Sequence, residues 1–153
     1  MTDKLGALTL DDFLCFAVYA TGHGFTRVYK PLLEPLGLTY PQYVVMTALW
    51  EKDDLTVTAL GERLSLESNT LTPMLKRLEG QGRIRRVRDP EDERQVRIRL
   101  TAAGRVLKDR VRDIPKCILQ ASGLSLEDLK QLQRQVMRLR KALESYAASE
   151  PPG

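Results

Sequence analysis

Apolar positions recur along this chain at two spacings, and the change from one to the other divides it. From Phe13 to about residue 29, in "FLCFAVYATGHGFTRVY", they return every three or four residues, which predicts a long first helix interrupted by Pro31 and Pro35. Thr9 and Asp12 supply a capping-box-like T-x-x-D at its start. Pro41 opens a second helix through "PQYVVMTALWE". A short helix over about residues 58–64, a turn and a further helix over about 68–81 follow, which is the helix-turn-helix order. After Gly82 the spacing drops to two: "RIRRVR" and "RQVRIRL" alternate polar and apolar residues around "DPEDE", a β-hairpin with a charged tip. Helical spacing returns from Thr101 to about residue 121, with a bend expected at Pro115. Ser125 and Asp128 start the last helix, whose Leu126, Leu129, Leu132, Val136, Leu139 and Leu143 form one narrow stripe among Gln, Arg and Lys. Such a helix needs a partner. The closing "SEPPG", residues 149–153, predicts a disordered tail. The elements add up to a mainly α fold with a small β-hairpin wing: a winged helix-turn-helix over 41–100, flanked by helices within 1–35 and 102–148.

Composition changes this picture little, and charge changes it more. With 153 residues, 42% hydrophobic and 29% charged, the chain has the size and balance of one soluble globular domain. No apolar run approaches the roughly 18 residues that span a bilayer. The start of the chain carries no basic stretch followed by an apolar core, so a cytoplasmic protein without a membrane partner is expected. Residues 63–112 hold 14 Lys and Arg against 7 Asp and Glu, a net of +7, while the whole chain is +4 and the remainder therefore −3. A basic block suits a polyanion, because cations that neutralise phosphates release condensed counterions. A solvated mixed-charge surface has the same composition, and charge alone does not separate the two.

The helix over 68–81 does more to separate them. A helix presented to the major groove carries short hydrogen-bonding residues near its N-terminus and cations further along. This one has Ser68, Asn69, Thr70, Thr72 and Pro73, then Lys76 and Arg77. Taken singly, Ser68 or Thr70 is an N-cap and the cations a solvated face; the combination with a basic hairpin points to double-stranded DNA. At the hairpin tip Asp89 is expected to pair with Arg94 and stiffen the loop, leaving Arg86, Arg88 or Arg94 for the DNA backbone or a minor groove. Two cysteines 102 positions apart make no disulfide framework. A lone histidine, His23, without a cysteine cluster predicts neither a metal site nor a cofactor.

Nearly the whole chain resembles the MarR family of winged-helix regulators, through "LTVTALGERLSLESNTLTPMLKRLEGQGRIRR" and the wing signature "DPEDERQV". Its flanks "LCFAVYA", "TRVYKPLLEPLGLTYPQYVVMTALWE" and "IPKCILQASGLSLEDL" resemble the organic-hydroperoxide sensors of that family, the OhrR group. The resemblance implies a homodimer, joined through its N- and C-terminal helices, that binds palindromic operator DNA when reduced, as a repressor, and releases it when a thiol near the N-terminus is oxidised by organic hydroperoxide. That thiol matches Cys15, and the tyrosines associated with it match Tyr19, Tyr29 and Tyr40. Cys117 stands where two-cysteine members place their second thiol, which implies a disulfide between subunits. "GHG", residues 22–24, departs from the family's smoother helical stretch. Two glycines inside a helix cost roughly 1 kcal/mol each relative to alanine, so a bend or a close backbone contact is expected there.

At 100° per residue, Tyr19, Gly22, Thr26 and Tyr29 all fall within about 40° of Cys15 on a single stripe. Cys15 and Tyr29 nevertheless lie about 21 Å apart along a straight helix, too far to meet within one chain. Two such helices crossing antiparallel at Gly22 would set Cys15 of one subunit opposite Tyr29 of the other. Phenol hydroxyls there could donate to the sulfur and favour the thiolate, the form that attacks peroxide. By residue type alone Cys15 is a small buried hydrophobe, since cysteine is among the most commonly buried residues. Rival functions are a regulator of the same fold released by a small aromatic ligand, a thiol peroxidase, and a winged helix that binds proteins. The chain lacks the Pro-x-x-x-Thr-x-x-Cys pattern of peroxiredoxins and is expected not to be an enzyme.

Overall fold

The computed structural model describes residues 8–149. The expected tail lies outside them except for Ser149, which closes the last helix instead of belonging to a coil. In chain order the elements are α1 (Leu14–Leu33), α2 (Tyr40–Glu51), β1 (Leu55–Thr56), α3 (Val57–Leu64), α4 (Ser68–Gly80), β2 (Ile84–Arg88), β3 (Val96–Leu100), α5 (Ala102–Arg110), α6 (Ile114–Ser122) and α7 (Leu126–Ser149). The chain divides into two compact units, residues 1–112 and 113–153. The mainly α fold with a hairpin wing is the one expected, with differences at particular ends.

Thr9 and Asp12 do make their capping pair, with the Thr9 N–H and Oγ1 donating to Asp12 Oδ2 at 2.8 and 3.0 Å. It caps a short 3-10 turn over Leu10–Asp12 and not α1, which begins at Leu14 behind Phe13 with no side-chain cap. Nor does α1 stop near residue 29: it runs through Pro31 to Leu33, and the Glu34 N–H still reaches the Lys30 carbonyl. One proline removes one donor, and two further residues of helix outlast that loss. Gly22 and Gly24 lie inside this helix, and a Cβ on either would meet nothing within 4 Å. The expected close backbone contact is therefore absent among the described residues.

The helix-turn-helix is set by local chemistry. Thr39 and Gln42 form a reciprocal capping box at the start of α2, with Gln42 N to Thr39 Oγ1 at 3.3 Å and Thr39 N to Gln42 Oε1 at 3.0 Å. Thr56 Oγ1 accepts from Ala59 N at 3.0 Å and caps α3. The turn between α3 and α4 passes so close to Gly61 that a Cβ there would stand 2.7 Å from the Leu66 carbonyl oxygen. Only glycine fits. On α4, Leu71, Leu75 and Leu78 repeat at helical spacing and are fully buried, alongside Leu60, Val45, Met46 and Leu49. Each such side chain is worth about 1.5–3 kcal/mol relative to exposure, and together they fix the angle at which α4 presents its other face.

The hairpin pairs Ile84 with Leu100, Arg86 with Ile98 and Arg88 with Val96, so Ile84, Ile98 and Leu100 are buried below while Arg85, Val87, Arg97 and Arg99 share the outer face. The two-residue strand β1, which the sequence pattern did not reveal, pairs antiparallel with β3 and makes a three-stranded sheet of order β1-β3-β2. Past the sheet the expected bent helix over 101–121 is two helices, with residues 111–113 between them. Pro115 has no N–H for the Val111 carbonyl and its ring crowds it, yet it suits the first turn of α6. In the second unit, Gly123 in the left-handed conformation ends α6, and Ser125 Oγ accepts from Asp128 N at 3.1 Å to start α7 as expected. Its apolar stripe stays uncovered: Leu126, Leu132, Val136 and Leu143 are exposed, and α7 buries no residue.

Candidate functional site

Packing α4 by its leucine face leaves Ser68, Asn69, Thr70, Pro73, Lys76 and Arg77 exposed along the opposite side. Ser68 is the first helical residue and Glu67 the N-cap, so neither Ser68 nor Thr70 is tied up capping the helix end. Thr72 differs: it is half-buried and its Oγ1 donates to the Ser68 carbonyl at 2.7 Å, which occupies its proton within the helix. An open groove of about 530 Å³ between α4 and the hairpin brings Ser68, Thr72, Arg86, Asp92 and Arg94 onto one surface.

The wing arginines differ in what holds them. Arg86 is held: its N–H and Nε donate to the two oxygens of Glu79 at 2.9 and 3.1 Å, and the N–H bond first, then the guanidinium, keeps the Glu79 carboxyl below its ordinary range. Arg86 thereby ties α4 to β2 while still lining the groove. Asp89 does not pair with Arg94. It accepts from the Glu91 N–H at 2.8 Å and from Arg97 Nη1 at 3.1 Å, and these bonds lower its pKa in that order. Arg94 instead folds back on Asp92, two residues away, which accepts its N–H and Nε at 3.2 and 3.1 Å. A carboxylate two residues away is within easier reach than one five away across the turn. The Arg94 side chain remains 91% exposed at the wing tip. Arg88 Nη1 donates to the Glu93 carbonyl at 3.1 Å.

On α1, Cys15 is exposed, and so are its apolar neighbours Phe13, Leu14 and Val18. The reading of Cys15 as a packed core residue does not hold in the single chain. Tyr19, one turn on and 65% exposed, meets His23 edge-on with ring centroids 4.5 Å apart. Tyr29 lies far along the same helix and stacks on Tyr40 at 4.6 Å and Tyr43 at 5.5 Å, and Tyr43 in turn meets Trp50 at 6.3 Å. Burial, with Tyr40 and Tyr43 adding to it, pushes the Tyr29 phenol up to about 12. The structure thus brings Tyr29 and Tyr40 together and leaves Tyr19 apart. Tyr43 was missed because it reads as one more apolar position of α2; its three-residue spacing from Tyr40 is the signal. Cys117 is half-buried on α6. Among the described residues no cluster of His, Cys, Asp and Glu is placed to hold a metal, and no helix is long and apolar enough to cross a membrane.

The family model for the transcriptional regulator SarA/Rot matches residues 27–111. The organic hydroperoxide resistance transcriptional regulator of Bacillus subtilis is 50% identical over 143 residues, 94% of this chain and 97% of that one. Two solved structures of AbfR, a Staphylococcus epidermidis protein, are also similar. Reduced AbfR bound to DNA superposes with a TM-score of 0.73 at 37% identity, over 88% of this chain and 93% of that one. Disulfide-formed AbfR gives 0.60 at 34%, over 92% and 93%.

Proposed function

Because this chain belongs to the MarR-type winged-helix transcriptional regulators and, among them, to the organic hydroperoxide resistance group, we propose that it binds palindromic operator DNA as a reduced homodimer and releases it when organic hydroperoxide oxidises Cys15. One observation carries this reading: a thiol stands exposed on an apolar face of α1 in the same chain as a complete, basic reading head. AbfR, solved both on DNA and with a disulfide formed, supports it by analogy.

In this account Ser68, Asn69, Thr70 and Pro73 face base edges in the major groove, Lys76 and Arg77 hold phosphates, and Arg94 enters the minor groove or lies on the backbone. Thr72 and Arg86 line the same groove, Thr72 bonded within α4 and Arg86 paired to Glu79. The N-terminal helices within 1–35 and the helices within 102–148 form the subunit contact, and Cys15 of one subunit lies opposite Tyr29 of the other. Tyr40 arrives with Tyr29 because the two rings are stacked, while Tyr19 flanks the sulfur from its own helix. The thiolate attacks the outer peroxide oxygen, the O–O bond breaks, and the alkoxide leaves as the alcohol after taking a proton. The sulfur, oxidised by two electrons, becomes a sulfenic acid. Cys117 of the other subunit condenses with it, forming the S–S bond and releasing water. A disulfide requires Cα atoms within about 7 Å, and closing to that distance alters the spacing of the two heads. Half-sites one helical turn apart tolerate little change of that kind.

The chain is then a stoichiometric sensor of the cytoplasm and not an enzyme. A mobility shift on palindromic duplex tests this directly: cumene hydroperoxide is expected to release the duplex and dithiothreitol to restore the complex. Undiminished binding after oxidation would overturn it. Steady-state consumption of the hydroperoxide with excess thiol would instead indicate a peroxidase.

A further inference from the structure

The wing leaves Arg94 almost wholly in solvent, yet its backbone is not loose. From the α2–β1 turn a line of polar contacts runs outward to it. Asp53 Oδ1 accepts from Leu100 N at 2.9 Å and from Asp54 N at 2.7 Å, which fastens the turn to β3. Asp54, held at φ +59°, presents its carboxylate and its carbonyl to the same guanidinium. Arg97 Nε donates to Asp54 Oδ1 at 2.8 Å and Arg97 Nη2 to Asp54 O at 2.6 Å. Arg99 Nε adds a bond to Asp54 Oδ1 at 3.0 Å. The remaining arm of Arg97, Nη1, reaches Asp89 Oδ2 at 3.1 Å. Asp89 N donates to the Gln95 carbonyl at 2.9 Å, Gln95 N to the Asp92 carbonyl at 2.9 Å, and Asp92 takes Arg94.

We propose that Asp54 is a positioning residue for DNA binding: acting through Arg97 and Asp89, it fixes the hairpin loop that carries Arg94. The inference rests on the reading of the head as a duplex-binding module and extends it to a residue that itself lies outside the proposed contact surface.

Three features set this line apart from an incidental surface ion pair. Arg97 uses its planar fork to hold two carboxylates and a carbonyl at once, which a lysine cannot reproduce. The left-handed conformation at Asp54 is uncommon outside glycine, and Asp is among the residues that tolerate it. The bonds from Arg97 and then Arg99 hold the Asp54 carboxyl below its ordinary range, so it is ionised wherever the protein is folded near neutral pH. On the other side of the wing, Glu79 grips Arg86. The hairpin is thus anchored to α4 by one edge and to the β1 turn by the other, and the second anchor leads through Arg97 and Asp89 to the loop that carries Arg94.

A thermodynamic cycle on the full-length protein tests the role. The probe is a duplex selected by the wild-type protein from a random-sequence pool, with affinity read by fluorescence anisotropy for wild type, Asp54→Gly, Arg94→Ala and the double variant. Glycine suits φ +59°, removes the carboxylate with its methylene, and keeps the carbonyl that Arg97 Nη2 reaches. Asp54→Gly is expected to weaken binding about tenfold in the wild-type background and less than about twofold once Arg94 is alanine, because coupled residues are not additive. Equal loss in both backgrounds, or no loss in either, would overturn the inference while leaving duplex binding in place. If the wild-type protein enriches no duplex, the reading of the head fails and the positioning role falls with it. Should Asp54→Gly lose its helical circular dichroism, Arg97→Lys enters the same cycle with the same expected coupling.

Discussion

Two regions of this molecule treat their apolar residues in opposite ways. In the head, Leu60, Leu71, Leu78 and Ile98 are wholly excluded from solvent, and no buried side-chain polar atom lacks a hydrogen-bond partner among the described residues. Along the first half of α1 and the length of α7, residues of the same type stand in water: Leu14 and Leu143 are about 60% exposed. Hydrophobic burial near 25 cal/mol per Å² makes the first arrangement self-sufficient and leaves the second unfinished. The head completes itself within one chain, whereas the long helices call for a second copy, which is why the subunit contact is proposed there and the sensing thiol with it.

The comparison breaks most completely if α7 is made unable to bury its stripe. Leu132→Glu with Val136→Glu is expected to abolish the dimer in sedimentation equilibrium at micromolar concentration. Duplex affinity should fall at least a hundredfold, because one head then binds one half-site without the gain from tethering. The head itself should keep its thermal transition.

The converse change attacks the head. Leu75→Ala is expected to destabilise it by about 2–5 kcal/mol in thermal or urea unfolding, the range for a cavity left by a buried leucine. Trp50→Phe removes a smaller contribution, the bond from Nε1 to the Gly104 carbonyl at 2.9 Å, and should cost about 1 kcal/mol.

The smallest effects are electrostatic and set the edges of a pH plateau. Asp54, Asp89 and Glu79 titrate below their ordinary values when folded, so what they add to stability is present above about pH 4.5 and lost as pH falls through their folded pKa values. Tyr29 is the reverse: raised from 10.0 to about 12, its contribution is full below pH 10 and is lost as pH rises toward 12. Unfolding free energy measured across pH should be level between those limits and decline outside them, and ultraviolet titration should show Tyr29 and Tyr43, both raised by burial, ionising later than an ordinary phenol.

Much of the head was legible because its signals are local. The switch from helical to alternating spacing at Gly82, the proline at 41 that opens α2, and the short polar residues followed by cations on α4 each announce an element within a few residues of themselves. What could not be read depended on distance through space. Asp54 carries no pattern in the sequence, yet it meets Arg97 from 43 positions away. The two-residue strand β1 exists only because β3 is there to pair with it. Asp89 and Arg94 looked complementary across a turn, but Arg97 competes for the first and Asp92 for the second. Pro115 was placed correctly as a disturbance and misjudged in kind, because a proline that bends a long helix also fits the first turn of a new one. The thiol was found through its resemblance and not through its spacing, since an exposed cysteine on an apolar helix face looks in sequence like a buried one.

The central claim, that oxidation of one sulfur governs the grip of both heads, is tested most directly by Cys15→Ser. Operator duplex bound by this variant and by wild type is titrated with organic hydroperoxide and followed by anisotropy. The account requires equal affinity for the two proteins before oxidant, release by wild type alone, and no release by the variant at any oxidant concentration that leaves it folded. Release of DNA by Cys15→Ser at the same dose as wild type would contradict it.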